Sequence, residues 1–397
     1  MKILFVAFAE SIHTVRWLNL LNAAGFDVHL FPSIDNGQMH TELENVHVYH
    51  SIYYGKQETG SGVRPHGISV PNLSLSYLCR DLVRKREPDY RVRQLIRLIR
   101  KIQPDIIHSL EFQAAGYLTL AAKQQYQGRF PTWIATNWGS DIFLFGRLAE
   151  HREKVRQILC ECDYYSCECH RDVELAKAMG LQGKVLPVIP NTGGFDLDRV
   201  KTLNSGIPPS ARRMILVKGY QGWAGRALVA LTALSLCCDC LDGYEIGVYS
   251  AHTEDVRIAS ELLSASMGIP VKIIPAQSHE RMLMWFGKSR IYIGLSISDA
   301  ISTSLLESMA MGAFPIQSNT SCADEWIADG IGGLIVPPED PQMVAEAIRT
   351  ALDSDTLVDD AARLNQQVVM ERLDQRKIKD QVVQMYRDIY NETRSIQ

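Results

Sequence analysis

The sequence lacks the features that mark several large classes of protein. Its 397 residues carry a net charge of only −4, whereas dedicated nucleic-acid-binding proteins usually have a strong basic excess. No apolar run approaches the roughly 18 residues of a membrane span. The apolar run in "MKILFVAFAESIHTVRW" is too short for a secretory signal. We therefore expect a cytoplasmic protein that does not bind nucleic acid.

Cysteine is present without the spacing of a common metal site. The nine cysteines are odd in number, and the stretch "CECDYYSCECH" follows a C-x-C rather than a C-x-x-C pattern. The stretch also alternates like a strand. We predict reduced thiols and no bound metal. A metal site built from Cys160, Cys162, Cys167, Cys169 and His170 is the alternative.

What the sequence does contain is a repeated alternation of strand-like and helix-like segments, which is typical of parallel α/β sheets. The first series runs from "KILFVAF" to "VIPNTGGFD", and the pattern restarts at "RRMILVKG". The length also favours two or more domains. We predict two Rossmann-like domains, 1–195 and 196–375. A final helical segment, 376–397, follows them, and the pattern alone does not assign it to either domain. The stretch 55–77 is expected to be a long loop.

Ligands of open α/β sheets bind beyond the carboxyl ends of the strands, so the loops that follow strands are the candidate sites. In "VKGYQGWAGRAL", Lys218 and Arg226 flank Gly219, Gly222 and Gly225. Glycines allow close backbone approach, and two cations can neutralise a diphosphate. The loop is neither a Walker loop nor a G-x-G-x-x-G turn. A flexible turn with two solvated cations is the alternative.

A second loop follows the strand "IYIGLS". It carries Asp299 and brings Ser302, Thr303 and Ser304 to the start of a helix, where backbone amides and the helix dipole favour an anion. Glu307 lies in a largely apolar helix, and a carboxylate there needs a partner. Ribose hydroxyls would satisfy it. The alternative is a capping box between Ser304 and Glu307, which would be purely structural.

The run "LLESMAMGAFPIQSNTSCADEWIADGIGGLIVPPEDPQMVAEAI" closely resembles the signature region of the retaining GT-B glycosyltransferases of family 4. That family has two acids separated by seven residues, then "EAMA.G.PV" and "G..G.LV.P.D". Here Glu307 is the second acid, and Asp299 replaces the usual first Glu. The resemblance covers roughly residues 285–350, and "VIPNTGGFD" resembles an interdomain element of the same family.

The resemblance implies a GT-B fold, with two Rossmann-like domains facing across a cleft and a C-terminal helix crossing back to the first domain. It implies a nucleotide-diphosphate sugar as the substrate, and no cofactor. By position, Glu307 holds the donor ribose and Asp299 lies near the transferred sugar. Lys218 and Arg226 match the family's pair of cations at the diphosphate, in reversed order and at wider spacing.

The acceptor is expected in the first domain. In "AESIHTVRW", Ser11 and His13 stand where the family has a glycine-rich loop, and a plain N-cap at Ser11 is the alternative. His108 and Glu111 end one strand and are predicted to contact the acceptor hydroxyl, although a lone strand-end histidine is more often structural. In "TNWGSD", Trp138 replaces the histidine of the family's "HG.D" element.

Other readings stay open at this stage. From Arg80 to Lys101 basic residues outnumber acids, which favours one solvated helix face, with contact to an anionic membrane or a lipid-linked acceptor as the alternative. An epimerase or phosphorylase on the same fold would use the same donor loops. A non-catalytic subunit that binds sugar nucleotides would keep the binding residues and lack turnover.

Overall fold

The computed structural model describes residues 1–87 and 89–395, and the chain divides into two compact units. Unit 1 comprises Met1–Gly194 together with the chain from Arg376 onward. Unit 2 comprises Phe195–Gln375. Within the described residues, no helix combines the length and the apolar character that crossing a membrane requires.

Unit 1 is built on one parallel sheet with strand order β4-β3-β2-β1-β5-β6-β7-β8. Its strands are β1 (Lys2–Ala7), β2 (Asp27–Pro32), β3 (His47–Tyr54), β4 (Arg64–Val70), β5 (Ile106–Leu110), β6 (Thr132–Thr136), β7 (Tyr164–Ser166) and β8 (Lys184–Val185). Its helices are α1 (Ile12–Asn19), α2 (Leu73–Arg86), α3 (Tyr90–Ile102), α4 (Tyr117–Gln125), α5 (Ala149–Glu161) and α6 (His170–Ala178).

The sequence explains the centre of this sheet. Residues Ile3–Ala7 of β1 and all of β5 are buried, as expected for central parallel strands covered on both faces. Helix α3 is strongly amphipathic, with apolar side chains recurring at intervals of three and four residues along one buried face. It ends at Gln103, whose left-handed backbone lets its amide bond back to the Ile99 carbonyl.

Unit 2 is built on a second parallel sheet with strand order β11-β10-β9-β12-β13-β14. Its strands are β9 (Met214–Lys218), β10 (Glu245–Tyr249), β11 (Val271–Ile274), β12 (Ile291–Gly294), β13 (Phe314–Ser318) and β14 (Leu334–Val336). Its helices are α7 (Leu197–Leu203), α8 (Ala227–Leu236), α9 (Glu254–Met267), α10 (His279–Lys288), α11 (Thr303–Met311), α12 (Pro341–Asp353) and α13 (Asp355–Arg372). The prediction of two Rossmann-like parallel α/β domains is confirmed.

Helix termini in unit 2 follow local sequence signals. The Asp340 carboxylate accepts hydrogen bonds from the amides of Gln342 and Met343, and Pro341 occupies the first helical position of α12. Helix α11 ends at Gly312 in the left-handed conformation. Ser304–Met311 in this helix are buried, which agrees with its largely apolar sequence.

The final helix, α14 (Gln375–Ser395), belongs almost entirely to unit 1. Its anchor is Tyr386, which is fully buried. The Tyr386 hydroxyl accepts a hydrogen bond from Trp17 Nε1 at 2.9 Å and lies 2.6 Å from His108 Nδ1. These contacts fix the C-terminal helix to β5 and α1 of the same unit.

Two local predictions are wrong. The stretch 55–77 is not one long loop, because it contains strand β4 and the start of α2. Strand β4 is mostly exposed and contains a proline and a glycine, so its sequence carries little of the usual strand signal. The basic run from Arg80 to Lys101 is not one solvated helix face. Arg80 is buried and donates to the Ile52 carbonyl at 2.8 Å. Pro88 of this run lies outside the described residues.

Candidate active site

Each sheet has a topological switch point, where neighbouring strands lead to connections running in opposite directions. In unit 2 it lies between β9 and β12, and in unit 1 between β1 and β5. Loops at the carboxyl ends of such strand pairs open a crevice in which ligands bind. The two loops for which the sequence predicts donor binding follow β9 and β12, so they meet at the switch point of unit 2.

Lys218 is the last residue of β9, and its ammonium reaches the start of α11. Lys218 Nζ lies 3.5 Å from Ser302 Oγ, at the long limit of a hydrogen bond. Burial alone would lower the pKa of this lysine, but Tyr292, Asp299 and Glu307 raise it, so the net shift is upward. The ammonium therefore stays charged at neutral pH while its hydrogen-bonding capacity is largely unused.

The mouth of α11 offers further donors beside this cation. Ser302 is the N-cap residue, yet its side chain makes no capping hydrogen bond. Thr303 and Ser304 form the first turn, where backbone amides lack helical acceptors. Ser302 is 2% exposed and Ser304 8%, so these groups lie in a recess rather than on the open surface. Such a helix start, next to an ammonium, is suited to an anion.

Glu307 is not part of a capping box. The helix begins at Thr303, so Glu307 lies beyond the first turn and cannot reach the N-cap amide as that motif requires. Its Oε1 instead lies 2.9 Å from Nε2 of His279, the first residue of α10. The Glu307 side chain is 9% exposed and that of His279 is 42% exposed. The carboxylate is therefore held at the edge of the recess by a partner that the solvent can also reach.

The structure adds buried polar groups that the sequence analysis missed. The hydroxyls of Tyr249 and Tyr292 have no hydrogen-bond partner among the described residues, although Ser304 lies close enough to influence the pKa of both phenols. A side chain on Gly294 would place its Cβ 2.1 Å from Tyr292 Oη and 2.7 Å from Gln317 Oε1. Glycine is therefore required there. Of these residues, Tyr249 could have been predicted from the sequence, because it is a polar residue at the end of a strand, β10.

Arg226 occupies the predicted loop but is already engaged. It is the N-cap residue of α8, and its Nε donates to Glu339 Oε1 at 3.0 Å. Its NH1 group donates to the carbonyls of Gly225 at 2.9 Å and Gly222 at 3.3 Å. Gly222 has a backbone φ of +145° with open space where a side chain would stand. The loop therefore lets a ligand approach its backbone. Arg226 can bind such a ligand only after it leaves Glu339.

Asp299 lies partly buried in the loop after β12. Its Oδ1 accepts a hydrogen bond from the Ala300 amide at 2.9 Å, and its own amide donates to the Thr320 carbonyl at 3.4 Å. Its negative charge contributes to the raised pKa of Lys218. The structure thus brings Asp299, Lys218 and Ser302 to one place, as the loop positions predict.

In unit 1 the loop after β1 borders a cavity of about 260 Å³ lined by Phe8, Glu10, Ser11, Ile34 and Asn36, together with Ala9. Ser11 is the N-cap residue of α1, and its Oγ accepts from the His13 amide at 3.2 Å. The plain capping role is therefore real, and it leaves Ser11 at the cavity wall.

Trp138 follows β6 and lies against this loop. Its ring centroid is 6.0 Å from that of Phe8 and 5.6 Å from that of His13. Its indole Nε1 is buried and has no hydrogen-bond partner among residues 1–87 and 89–395. A buried donor without an acceptor is unusual in proteins, so Trp138 is a candidate to bind a ligand oxygen.

His108 does not contact an open site, and the prediction that it meets the acceptor hydroxyl is wrong. It is fully buried within β5. Nδ1 lies 2.6 Å from the Tyr386 hydroxyl and Nε2 lies 2.6 Å from Thr136 Oγ1. Burial lowers its pKa to about 3, so the ring is neutral at physiological pH. His108 is a structural residue that helps to hold α14.

Glu111 is also committed to the local fold. It has a left-handed φ of +76°, and its carboxylate accepts from the amides of Ala114 and Ala115 at the start of a π-helical turn, Phe112–Gly116. Burial raises its pKa to about 7 despite these bonds. Asp141 is buried nearby and accepts from the amides of Phe112 at 2.8 Å and Trp138 at 2.7 Å. These carboxylates shape the switch point rather than face an open cavity.

Solved structures share this fold over almost the whole chain. Sucrose-phosphate synthase from Thermosynechococcus elongatus is 16% identical, with a TM-score of 0.71 over 99% of this chain and 100% of that one. HepE from Anabaena, in complex with UDP, is 14% identical, with a TM-score of 0.66 over 98% and 100%. A glycosyltransferase from Rickettsia africae is 16% identical, with a TM-score of 0.65 over 98% of each chain. The two Rossmann-like units thus define a GT-B fold.

Family models identify the sequence more specifically. The model described as glycosyl transferases group 1 matches residues 252–368, which include Asp299 and Glu307. The model described as glycosyl transferase 4-like matches residues 2–90 and 89–163. Among curated proteins, none matches this sequence. The chain belongs to the group 1 glycosyltransferases and is an enzyme of the transferase class.

Proposed function

We propose that the protein transfers a sugar from a nucleotide-diphosphate sugar, specifically a UDP-sugar, to an acceptor hydroxyl with retention of the anomeric configuration. The observation that carries this proposal is the meeting of the Lys218 ammonium with the mouth of α11 at the switch point of unit 2. A diphosphate needs such cations and unpaired amides. The choice of uridine rests on HepE, whose structures contain UDP and UDP-glucose.

The donor fits the described groups in a definite order. The diphosphate would lie against Lys218, Ser302 and the first amides of α11, with Gly222 leaving room for its approach. The ribose hydroxyls would bind the Glu307 carboxylate, which is buried enough to need polar partners. Asp299 would lie beside the transferred sugar. Arg226 would join the diphosphate after leaving Glu339, and the exposed Glu339 loses little in that exchange.

The reaction then needs no protein nucleophile. The bond from the anomeric carbon to the diphosphate oxygen breaks, and the acceptor oxygen bonds to the same face of that carbon. The acceptor proton passes to the departing diphosphate oxygen, so a nucleoside diphosphate and a glycoside are the products. Negative charge grows on the leaving oxygen, and Lys218 with the α11 dipole stabilises that charge more in the transition state than before it.

The acceptor is proposed to bind in unit 1, at the cavity beside Glu10 and Ser11. Carboxylate and hydroxyl oxygens there suit sugar hydroxyls, and Trp138 supplies a buried indole donor with an apolar ring face. His13 lines the same side of the loop through its contact with Trp138. A cytoplasmic location and membrane contact through Arg80–Lys101 remain predictions.

One experiment tests the donor and the reaction together. In thermal-shift measurements with UDP, GDP, ADP and their sugars, UDP should stabilise the protein by mass action more than the other two diphosphates. Stabilisation by GDP or ADP alone would contradict the choice of uridine. The matching sugar nucleotide should then be hydrolysed or transferred, with NMR showing the same anomeric configuration in product and donor. Inversion of that configuration would refute retention.

The same assay separates the alternatives. Binding of the sugar nucleotide without transfer or hydrolysis would indicate a non-catalytic binding subunit, whereas an altered sugar in the recovered nucleotide would indicate an epimerase. We also expect turnover to survive EDTA, since Lys218 and the helix start supply the positive charge. An activity lost to EDTA and restored by a divalent cation would contradict the metal-independent mechanism.

A further inference from the structure

A second cavity lies in unit 1, away from the loops that follow β1 and β5. Its volume is about 210 Å³, and it opens between helix α3 and strands β2 and β3. Its walls combine the rings of Phe31 and Tyr49 with His50, Arg97 and Lys101. The volume is below the roughly 300 Å³ at which pockets for drug-sized ligands begin. The cavity is therefore sized for a small group or one end of a larger molecule.

His50 is the buried polar group of this cavity. Its side chain is 0% exposed, and neither ring nitrogen has a hydrogen-bond partner among the described residues. Nδ1 lies 3.7 Å from Asp35 Oδ1, which is longer than a hydrogen bond. Nδ1 is thus within ion-pair distance of Asp35, whereas Nε2 has neither a hydrogen-bond nor an ion-pair partner among the described residues. Most buried side-chain nitrogens in proteins are hydrogen-bonded, so this Nε2 on a cavity wall points to a ligand.

The acid next to His50, Asp35, also has polar partners other than this histidine. Asp35 Oδ2 lies 3.6 Å from Arg91 NH1 and accepts from the Tyr90 hydroxyl at 3.2 Å. Asp35 Oδ1 accepts from the Ser51 amide at 3.3 Å. Burial opposes the ionisation of Asp35, but the neighbouring His50, Arg91 and Ser51 outweigh it and hold the pKa of the Asp35 carboxyl well below its usual range. Among the described residues, Asp35 is therefore paired with Arg91 and His50 and forms no ion pair with Arg97 or Lys101, the two cations at the mouth of the cavity.

Those cations lie one turn apart on α3. Arg97 and Lys101 are both exposed, and within residues 1–87 and 89–395 neither forms an ion pair. Their separation of four residues places them on the same face of the helix, where both line the cavity. Two free positive charges beside a buried imidazole favour a dianion over a carboxylate with a single charge.

We propose that this cavity binds a phosphate group, carried by a small phosphorylated molecule or by a phospholipid headgroup, between His50, Arg97 and Lys101. The two cations would meet the phosphate oxygens, and His50 Nε2 would donate to a third. The Tyr49 and Phe31 rings would cover the part of the ligand next to the phosphate. The site is separate from the donor site of unit 2, so the inference does not rest on the proposed transfer reaction.

Binding at His50 is expected to take up a proton. Burial lowers the pKa of His50, Asp35 opposes that effect, and Arg91 and Arg80 add to it, so the free ring is neutral at neutral pH. A phosphate next to Nε2 favours the imidazolium, with one N–H directed at Asp35 and the other at the ligand. Affinity should therefore rise as the pH falls.

Other titratable groups pack near this wall. The Tyr53 ring lies 6.2 Å from that of His50, and the Tyr90 phenol has a pKa raised by burial. His66 on β4 stacks on Tyr49 at 4.4 Å, and burial lowers its pKa. His66 is the residue most able to imitate a pH effect, so a His66→Gln variant must keep the pH dependence if His50 is its source.

The test is calorimetric titration with inorganic phosphate and with sulfate at about pH 6 and about pH 8, on either side of an ordinary histidine titration. Sulfate keeps both charges over this range, so its pH dependence reports the protein. We expect saturable binding near the millimolar range, weakened at least about tenfold in Arg97→Gln/Lys101→Gln. Arg93→Gln/Arg100→Gln removes the same charge from α3 outside the cavity and should bind almost as the original protein does.

A sedimentation arm distinguishes the source of the phosphate. Vesicles of phosphatidylcholine with or without phosphatidic acid are mixed with the same three proteins. Binding of free phosphate that Arg97→Gln/Lys101→Gln loses supports a soluble ligand, and selective loss of vesicle binding alone supports a lipid headgroup. The proposal is overturned if neither probe binds, or if both double variants weaken binding equally, since general helix charge would then explain the result.

Discussion

Lys218→Met is the substitution that most directly tests the proposed donor site. Methionine has a similar length and no charge, so it removes the ammonium while filling the same space. Lys218 Nζ makes only a 3.5 Å contact with Ser302 Oγ, and we therefore expect little change in folding from the lost hydrogen bond. The loss of attraction to Asp299 and Glu307 is the main structural effect.

The expected loss of activity follows from the charge that develops in the reaction. A unit charge about 4 Å from an ammonium gains about 4 kcal/mol at an effective dielectric constant of about 20. Removing one donor that stabilises a developing oxyanion typically costs about 3 to 4 kcal/mol, or 10²–10³ in kcat. We therefore expect kcat of Lys218→Met to fall by about a hundredfold or more, with a smaller rise in KM for the donor.

The assay is steady-state release of the nucleoside diphosphate, with unfolding by urea measured in parallel. Lys272→Met is the matched control: it removes a lysine from the same sheet, where Lys272 Nζ makes a 2.9 Å surface ion pair with Glu245. That pair should contribute less than about 1 kcal/mol to stability and nothing to turnover. Near-normal kcat in Lys218→Met would refute the reasoning and leave the α11 start as the sole phosphate-binding element.

Other predictions follow from buried groups. Glu307→Ala should nearly abolish donor binding by calorimetry while leaving the circular dichroism spectrum unchanged; normal binding would exclude the ribose contact. Tyr386→Phe breaks the bonds to Trp17 and His108, so unfolding should become easier by about 1–3 kcal/mol with kcat retained, and unchanged stability would contradict the anchoring role. The pKa of Glu111 rises from 4.5 to about 7 on folding, so its protonated form is favoured in the folded state. The free energy of unfolding should therefore fall as the pH rises from 4.5 to about 7, by up to about 3 kcal/mol. Urea unfolding of Glu111→Gln should show a smaller slope with pH, since Asp141, whose pKa burial also raises, still titrates; an unchanged slope would assign it to other groups.

The sequence by itself determined the architecture and which polar loops meet at the switch point of unit 2. Alternation of apolar strands and amphipathic helices identifies parallel α/β domains, because each segment must bury its apolar side chains at its own period. The loops with Lys218 and Asp299 follow strands, and in a parallel sheet all strand ends meet at one edge. Local caps such as Asp340 before Pro341 were readable for the same reason, since they depend on neighbours in the chain.

Only the tertiary structure decided which polar groups have partners. The pairing of Glu307 with His279 joins two helices, and the bonds of His108 to Tyr386 join residues 278 positions apart, so neither leaves a pattern in the sequence. Strand β4 was missed because an exposed edge strand needs no apolar run. The imidazole of His50 gained significance only when folding removed it from water without giving its nitrogens a partner, because the free energy of a buried polar group depends on contacts between distant segments.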